Sequence, residues 1–96
     1  MRARRKDENH AAVVNTLRAV GAEVVEVYQL PGALDCFVAF RGRWSVIEIK
    51  DGRKAKSRRA LTTAEQAMIE RIHRTGAPIY IVETADQALK AIGAIV

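Results

Sequence analysis

The stretch from Leu30 to Lys50, LPGALDCFVAFRGRWSVIEIK, constrains the fold more than any other part of the chain. It holds two short apolar runs, Leu34–Phe40 and Trp44–Ile49, separated by Arg41-Gly42-Arg43. Both runs are rich in β-branched and aromatic residues and too short for ordinary helices, which predicts two adjacent strands. A two-residue loop with glycine first predicts a type II′ turn centred on Gly42 and Arg43. That register sets Arg41 opposite Trp44, Phe37 opposite Glu48 and Asp35 opposite Lys50. Side chains alternate along a strand, so Asp35, Phe37, Glu48 and Lys50 share one face. Cys36, Val38, Phe40, Ile47 and Ile49 share the other. Asp35 and Glu48 then become diagonal neighbours, roughly 7–8 Å apart, a gap that a divalent cation can bridge. Charges at the end of an apolar strand are also commonly just solvated, and spacing alone does not separate the two readings.

Around this hairpin the remaining elements fall into order. Asp7–Val20 carries Val13, Val14, Leu17 and Val20 at helical spacing, with Gly21 placed to end the helix. Ala22–Tyr28 reads as a strand, and Pro31-Gly32 as the turn into the hairpin. Asp51–Ala60 is a basic loop. Thr62 and Glu65 have capping-box spacing at the start of a helix that runs to about Thr75, where Gly76 and Pro78 stop it. Ile79–Glu83 is a short buried strand, and Thr84 with Gln87 repeats the capping spacing before a last helix. The order α-β-β-β-α-β-α predicts an α/β domain, with a mixed sheet flanked by helices.

Ninety-six residues make one domain, 1–96, with a single core. No apolar run approaches the roughly 18 residues of a membrane helix, and the basic start, residues 1–6, leads into polar sequence rather than a signal peptide's apolar segment. The lone Cys36 has no internal disulfide partner, and no zinc spacing of Cys and His occurs. It is expected in the core of a protein in a reducing, cytoplasmic compartment. Net charge is +5. Arg2, Arg4, Arg5 and Lys6 form one basic cluster; Lys50, Arg53, Lys54, Lys56, Arg58 and Arg59 form another. Such clusters are candidate phosphate contacts, with a plain solvated loop as the competing reading. The second follows directly on Glu48-Ile49-Lys50, which favours nucleic acid over a membrane surface as partner.

Asp35, twelve intervening residues and then Glu48-Ile49-Lys50 resemble the D-(x)n-E-x-K signature of the PD-(D/E)XK nuclease superfamily. Within it the chain is most similar to the VRR-NUC branch, which includes stand-alone, phage-type Holliday-junction resolvases. The predicted element order matches the restriction-endonuclease-like αβββαβ core with an additional C-terminal helix, so the resemblance spans nearly the whole chain. It implies a metal-dependent endodeoxyribonuclease that hydrolyses phosphodiester bonds in branched DNA as a homodimer. Mg²⁺ is the implied cofactor, with Mn²⁺ as substitute. Asp35 and Glu48 would ligate the metal with help from the backbone carbonyl of Ile49, and Lys50 would hold the attacking water or stabilise the pentavalent phosphorus.

Two further residues enter through the same resemblance. Family members carry an acidic residue on the first helix, and Glu8 lies near that place; a solvated glutamate favoured by the helix dipole is the competing reading. Gln66, in Leu61-Thr62-Thr63-Ala64-Glu65-Gln66, is similar to the glutamine of the L-(S/T)-x-x-Q motif that follows ExK, and would orient phosphate or the catalytic lysine. His10 and His73 are expected to be ordinary boundary histidines outside the site. The family usually has proline immediately before the metal-binding aspartate, where this chain has Leu34. Arg53, Lys54, Lys56, Arg58 and Arg59 are the expected nucleic-acid contacts. A non-catalytic nucleic-acid-binding module on the same fold is the alternative; it would bind through the basic loop without metal.

Overall fold

A computed structural model describes residues 8–30, 34–52 and 61–96. Among these residues seven elements follow in the expected order: α1 (His10–Ala19), β1 (Glu23–Glu26), β2 (Cys36–Phe40), β3 (Arg43–Ile49), α2 (Thr63–Thr75), β4 (Ile79–Val82) and α3 (Ala85–Ile92). The strands form one mixed sheet in the order β1-β2-β3-β4. β1–β2 and β2–β3 are antiparallel, whereas β3 and β4 are parallel, as the α2 crossover requires.

The hairpin departs from its predicted register. Phe40 pairs with Arg43 and Phe37 with Val46, so the turn residues are Arg41 and Gly42 rather than Gly42 and Arg43. Both have positive φ, 51° and 77°, which is the type I′ pattern rather than II′. The mirror-image turn matches the twist of the flanking strands, and Arg41 accepts the left-handed conformation for it. Its guanidinium lies over the Phe40 ring, 4.8 Å from the centroid. The register shifts by two residues, an even number, so every side chain keeps its predicted face.

One face forms the core. Val24, Cys36, Val38, Ile47, Ile49 and Val82 pack beneath Val13, Val14 and Leu17 of α1 and Ala88, Leu89 and Ile92 of α3. Cys36 is fully buried as expected, and burial, with lesser effects from nearby carboxylates, pushes its thiol up to about 12. The opposite face is only partly covered among the described residues. Val25 and Phe37 there are cross-strand partners, and both are exposed. Ile81 and Trp44 are exposed as well. Trp44 is thus a surface residue, although a lone aromatic in a strand is more often core.

Local chemistry sets the helix ends. Thr62 caps α2: its hydroxyl accepts from Glu65 N while the Glu65 carboxylate accepts from Thr62 N, a complete capping box. Gly76, at φ 80°, ends that helix in the left-handed conformation. Thr84 caps α3 through Gln87 N, but the Gln87 side chain accepts from Glu83 N, one residue outside the box geometry. α1 starts at His10, three residues later than predicted. Its N-cap Asn9 makes no capping hydrogen bond; instead Nδ2 donates to the carbonyls of Lys50 (3.1 Å) and Glu83 (2.8 Å). Those two bonds tie the start of α1 to the C-terminal ends of β3 and β4.

Candidate active site

The ends of β2 and β3 bring the acidic residues together. The last ladder pair is Cys36–Ile47, so Asp35 lies one step further on, level with Glu48. The two are direct neighbours rather than the diagonal pair of the predicted register. Backbone bonds hold this end of the sheet firmly: Val27 N donates to Asp35 O at 2.9 Å, and Lys50 N donates to Val82 O at 2.8 Å. The Asp35 side chain is fixed too, because Oδ2 accepts a 2.6 Å hydrogen bond from Ile49 N. Ile49 therefore contributes its N–H to aiming Asp35, a role that the sequence did not suggest.

Glu48 is completely buried and Asp35 nearly so. Burial foremost, then hydrogen bonds with Asp35 and Glu65 and the charges of both, push the Glu48 carboxyl up to about 10. The physical cause is crowding: three carboxyl groups out of water cannot all ionise without a cation among them. Lys50 supplies one positive charge. Its Nζ lies 3.3 Å from Glu65 Oε1 and 3.7 Å from Glu48 Oε2, with only 14% of its side chain exposed. Asp35, Glu48 and Lys50 thus converge as the spacing predicted.

Other predicted residues do not join them. Gln66 is exposed on α2, and the buried residue of that turn is Glu65. The capping box explains the difference, since it turns the third helical residue back toward the N-cap and hence toward Lys50. Counting from Leu61, Glu65 also occupies the fifth position, where L-(S/T)-x-x-Q has its glutamine. Glu8 is exposed in the turn that precedes α1, because the helix starts later than expected. Arg53, Lys54, Lys56, Arg58, Arg59 and the basic arm 1–6 lie outside the described residues, as does Pro31-Gly32.

His10, by contrast, belongs here. It is 1% exposed, with Nε2 2.9 Å from Glu26 Oε1 and Nδ1 3.9 Å from Asp35 Oδ1. Its position was legible in principle: His10 precedes Val13, Val14 and Leu17 at helical spacing, and a histidine on a buried stripe needs polar partners. His73 is exposed on α2.

The donor set suits a hard divalent cation in part. Magnesium needs only one or two carboxylates, completing its octahedron with water and phosphate oxygens. The proton that Glu48 retains among its acidic neighbours marks a place where added positive charge is favourable. Among the described residues no group of three or more His, Cys, Asp or Glu is placed so that it could hold a metal ion. No helix among them is long and apolar enough to cross a membrane. In comparisons with known proteins, no family model, no curated protein and no solved structure matches the chain.

Proposed function

We propose that this chain is a metal-dependent endodeoxyribonuclease of the PD-(D/E)XK type, of the VRR-NUC branch, cutting branched DNA as a homodimer. The observation that carries the reading is the buried Asp35–Glu48 pair with Lys50 at 3.7 Å from Glu48. Purely structural sites seldom keep such a group, because replacing buried charges by apolar side chains is often neutral or stabilising. The αβββαβ order of elements with one helix added, and the position of the acidic pair at the sheet's end, both agree with it.

In this reading Asp35 and Glu48 hold Mg²⁺, with Ile49 O as a third protein ligand. The bound ion would lower the pKa of an attacking water and offset charge developing on the phosphoryl oxygens. Ile49 N–H keeps Asp35 aimed, so the carboxylate does not have to be ordered when substrate arrives. Lys50, held between Glu48 and Glu65, places an ammonium where it can orient the water or stabilise the pentavalent phosphorus. A domain of this size has little surface for reading bases, so backbone and shape recognition by the basic segments suits it better than sequence recognition.

The test is a cleavage assay on linear duplex, flap and four-way DNA with Mg²⁺ or Mn²⁺. Metal-dependent cutting, strongest on branched substrates, is the expected result; no cutting of any substrate contradicts it. Two-strand cleavage needs two active sites, so sedimentation is expected to show a two-fold dimer at micromolar concentration.

A further inference from the structure

The His10 imidazole is buried at the acidic cluster, yet the proposed chemistry assigns it nothing. Its Nε2 faces Glu26 Oε1 at 2.9 Å, and Arg18 Nη2 stands 3.5 Å from the other Glu26 oxygen. A carboxylate oxygen only accepts, so this bond puts a proton on Nε2; in the neutral imidazole the lone pair is then on Nδ1. Tyr28 meets the ring edge-on, with centroids 5.1 Å apart, and restrains its rotation. Nδ1 has no hydrogen-bond partner, although it is buried.

A carboxylate lies beside that nitrogen. Asp35 Oδ1 is 3.9 Å from Nδ1, while Oδ2 is occupied by Ile49 N–H. The distance is too long for a hydrogen bond. It is within the reach of one shared ion, since two ligands each about 2.1 Å from a cation stand at most about 4.2 Å apart. A histidine that donates one ring N–H to a carboxylate and presents its other nitrogen to a cation is a standard arrangement at metal sites, where the carboxylate fixes the tautomer and raises the basicity of the ligand.

We infer that His10 is a nitrogen ligand, through Nδ1, to the cation held by Asp35, so that the site is a mixed nitrogen–oxygen site rather than an all-oxygen one. The inference rests on the reading of Asp35 as a cation ligand. Imidazole donors favour borderline transition ions over Mg²⁺, so Mn²⁺ binds in preference to Mg²⁺. Glu26 acts through His10 as a positioning residue.

The experiment is pulsed electron paramagnetic resonance of Mn²⁺ added to the untagged full chain, read for nitrogen coupling to the ion. The chain has two histidines. His73 is exposed on α2, so His73→Gln leaves His10 as the one imidazole without disturbing the core. Nitrogen coupling is expected to persist in His73→Gln, to change when its histidine is labelled with ¹⁵N, and to vanish in His10→Gln. The glutamine amide can reach Glu26 but offers no atom equivalent to Nδ1. Loss of the ligand should weaken Mn²⁺ binding by roughly tenfold or more, with a smaller change for Mg²⁺ measured by competition. Should His10→Gln fail to fold, the isotope-sensitive coupling in His73→Gln decides the matter by itself. Mn²⁺ bound without histidine nitrogen coupling overturns the inference and leaves the nuclease reading standing; an imidazole protonated on both nitrogens, bridging Glu26 and Asp35, gives this result. Mn²⁺ bound as tightly by Asp35→Asn as by the unaltered chain, or not bound at all, overturns both.

Discussion

Lys50 and Glu65 meet at 3.3 Å, and that contact joins the end of β3 to the first turn of α2. The same Glu65 oxygen accepts from Thr62 N at 2.8 Å, so a single carboxylate both caps the helix and holds the lysine. A capping box tolerates glutamine in place of glutamate. Glu65→Gln is therefore expected to keep the cap and to change stability by less than about 0.5 kcal/mol, while removing one of the charges that keep Glu48 protonated. Glu65→Ala keeps the Thr62 hydroxyl's bond from the residue-65 N–H but loses the reciprocal bond from Thr62 N, and is expected to cost about 1 kcal/mol. Urea denaturation of the two variants checks this; equal losses would mean that the charge, and not the cap, is what matters.

Glu48 makes stability depend on pH in the direction opposite to that of a salt-bridged carboxylate. Its pKa stands near 4.5 as an ordinary carboxyl and is raised to about 10 in the fold. Between those values the folded chain binds the extra proton, so metal-free stability declines as pH rises. The slope is at most about 1.4 kcal/mol per pH unit for one proton. Thermal melts in chelator from pH 6 to 8, below the ordinary thiol value of 9.0 from which the Cys36 contribution starts, are expected to show the decline. Glu48→Gln, neutral at every pH, should flatten it and raise the melting temperature at pH 8. A profile identical to that of the unaltered chain would remove Glu48 from the acidic cluster.

The elements and the convergence of Asp35, Glu48 and Lys50 are legible in the sequence because they follow from short-range patterns. Asp35, Glu48 and Lys50 keep their face under any even register shift, so the error at the turn cost the hairpin nothing there. The turn type is not legible because Arg41 gives no hint of positive φ, whereas Asn at that position is the usual mark of a type I′ turn. The burial of Glu65, and the place of His10 beside Asp35 rather than outside the site, are illegible for a different reason. What they touch depends on packing between elements far apart in sequence, β3 against α2 and α1 against β1 and β2. The motif resemblance points to Gln66, whereas the capping box turns Glu65 inward as the buried side chain of that turn.

The turn offers a direct check of the observed register. Arg41 holds φ at 51°, a conformation in which asparagine is at less of a disadvantage. Arg41→Asn is expected to stabilise the fold by roughly 0.5 kcal/mol, and Gly42→Ala to destabilise it by about 1 kcal/mol. Chemical denaturation measures both. A type II′ turn on Gly42 and Arg43 would instead leave stability insensitive to asparagine at position 41.

If the basic segment after Lys50 contacts phosphates, DNA affinity falls steeply with salt. Each contact contributes a slope of roughly −0.9 in log K against log[salt] on duplex DNA. Replacing Lys54 and Lys56 together with alanine should reduce the slope by up to about 2. An unchanged slope would return these residues to the role of solvated charges.

Asp35 tests the central claim most directly, because catalysis and binding should part company there. Asp35→Asn keeps the side-chain shape and removes the charge that would hold the cation. The same change removes a negative group from a surface that must approach phosphates, and that repulsion is only partly screened at physiological salt. The decisive measurement is cleavage of four-way DNA in Mg²⁺ by Asp35→Asn, paired with DNA affinity in chelator. The account predicts that cutting collapses while metal-free affinity is preserved or tightened; cutting at close to the unaltered rate would contradict it.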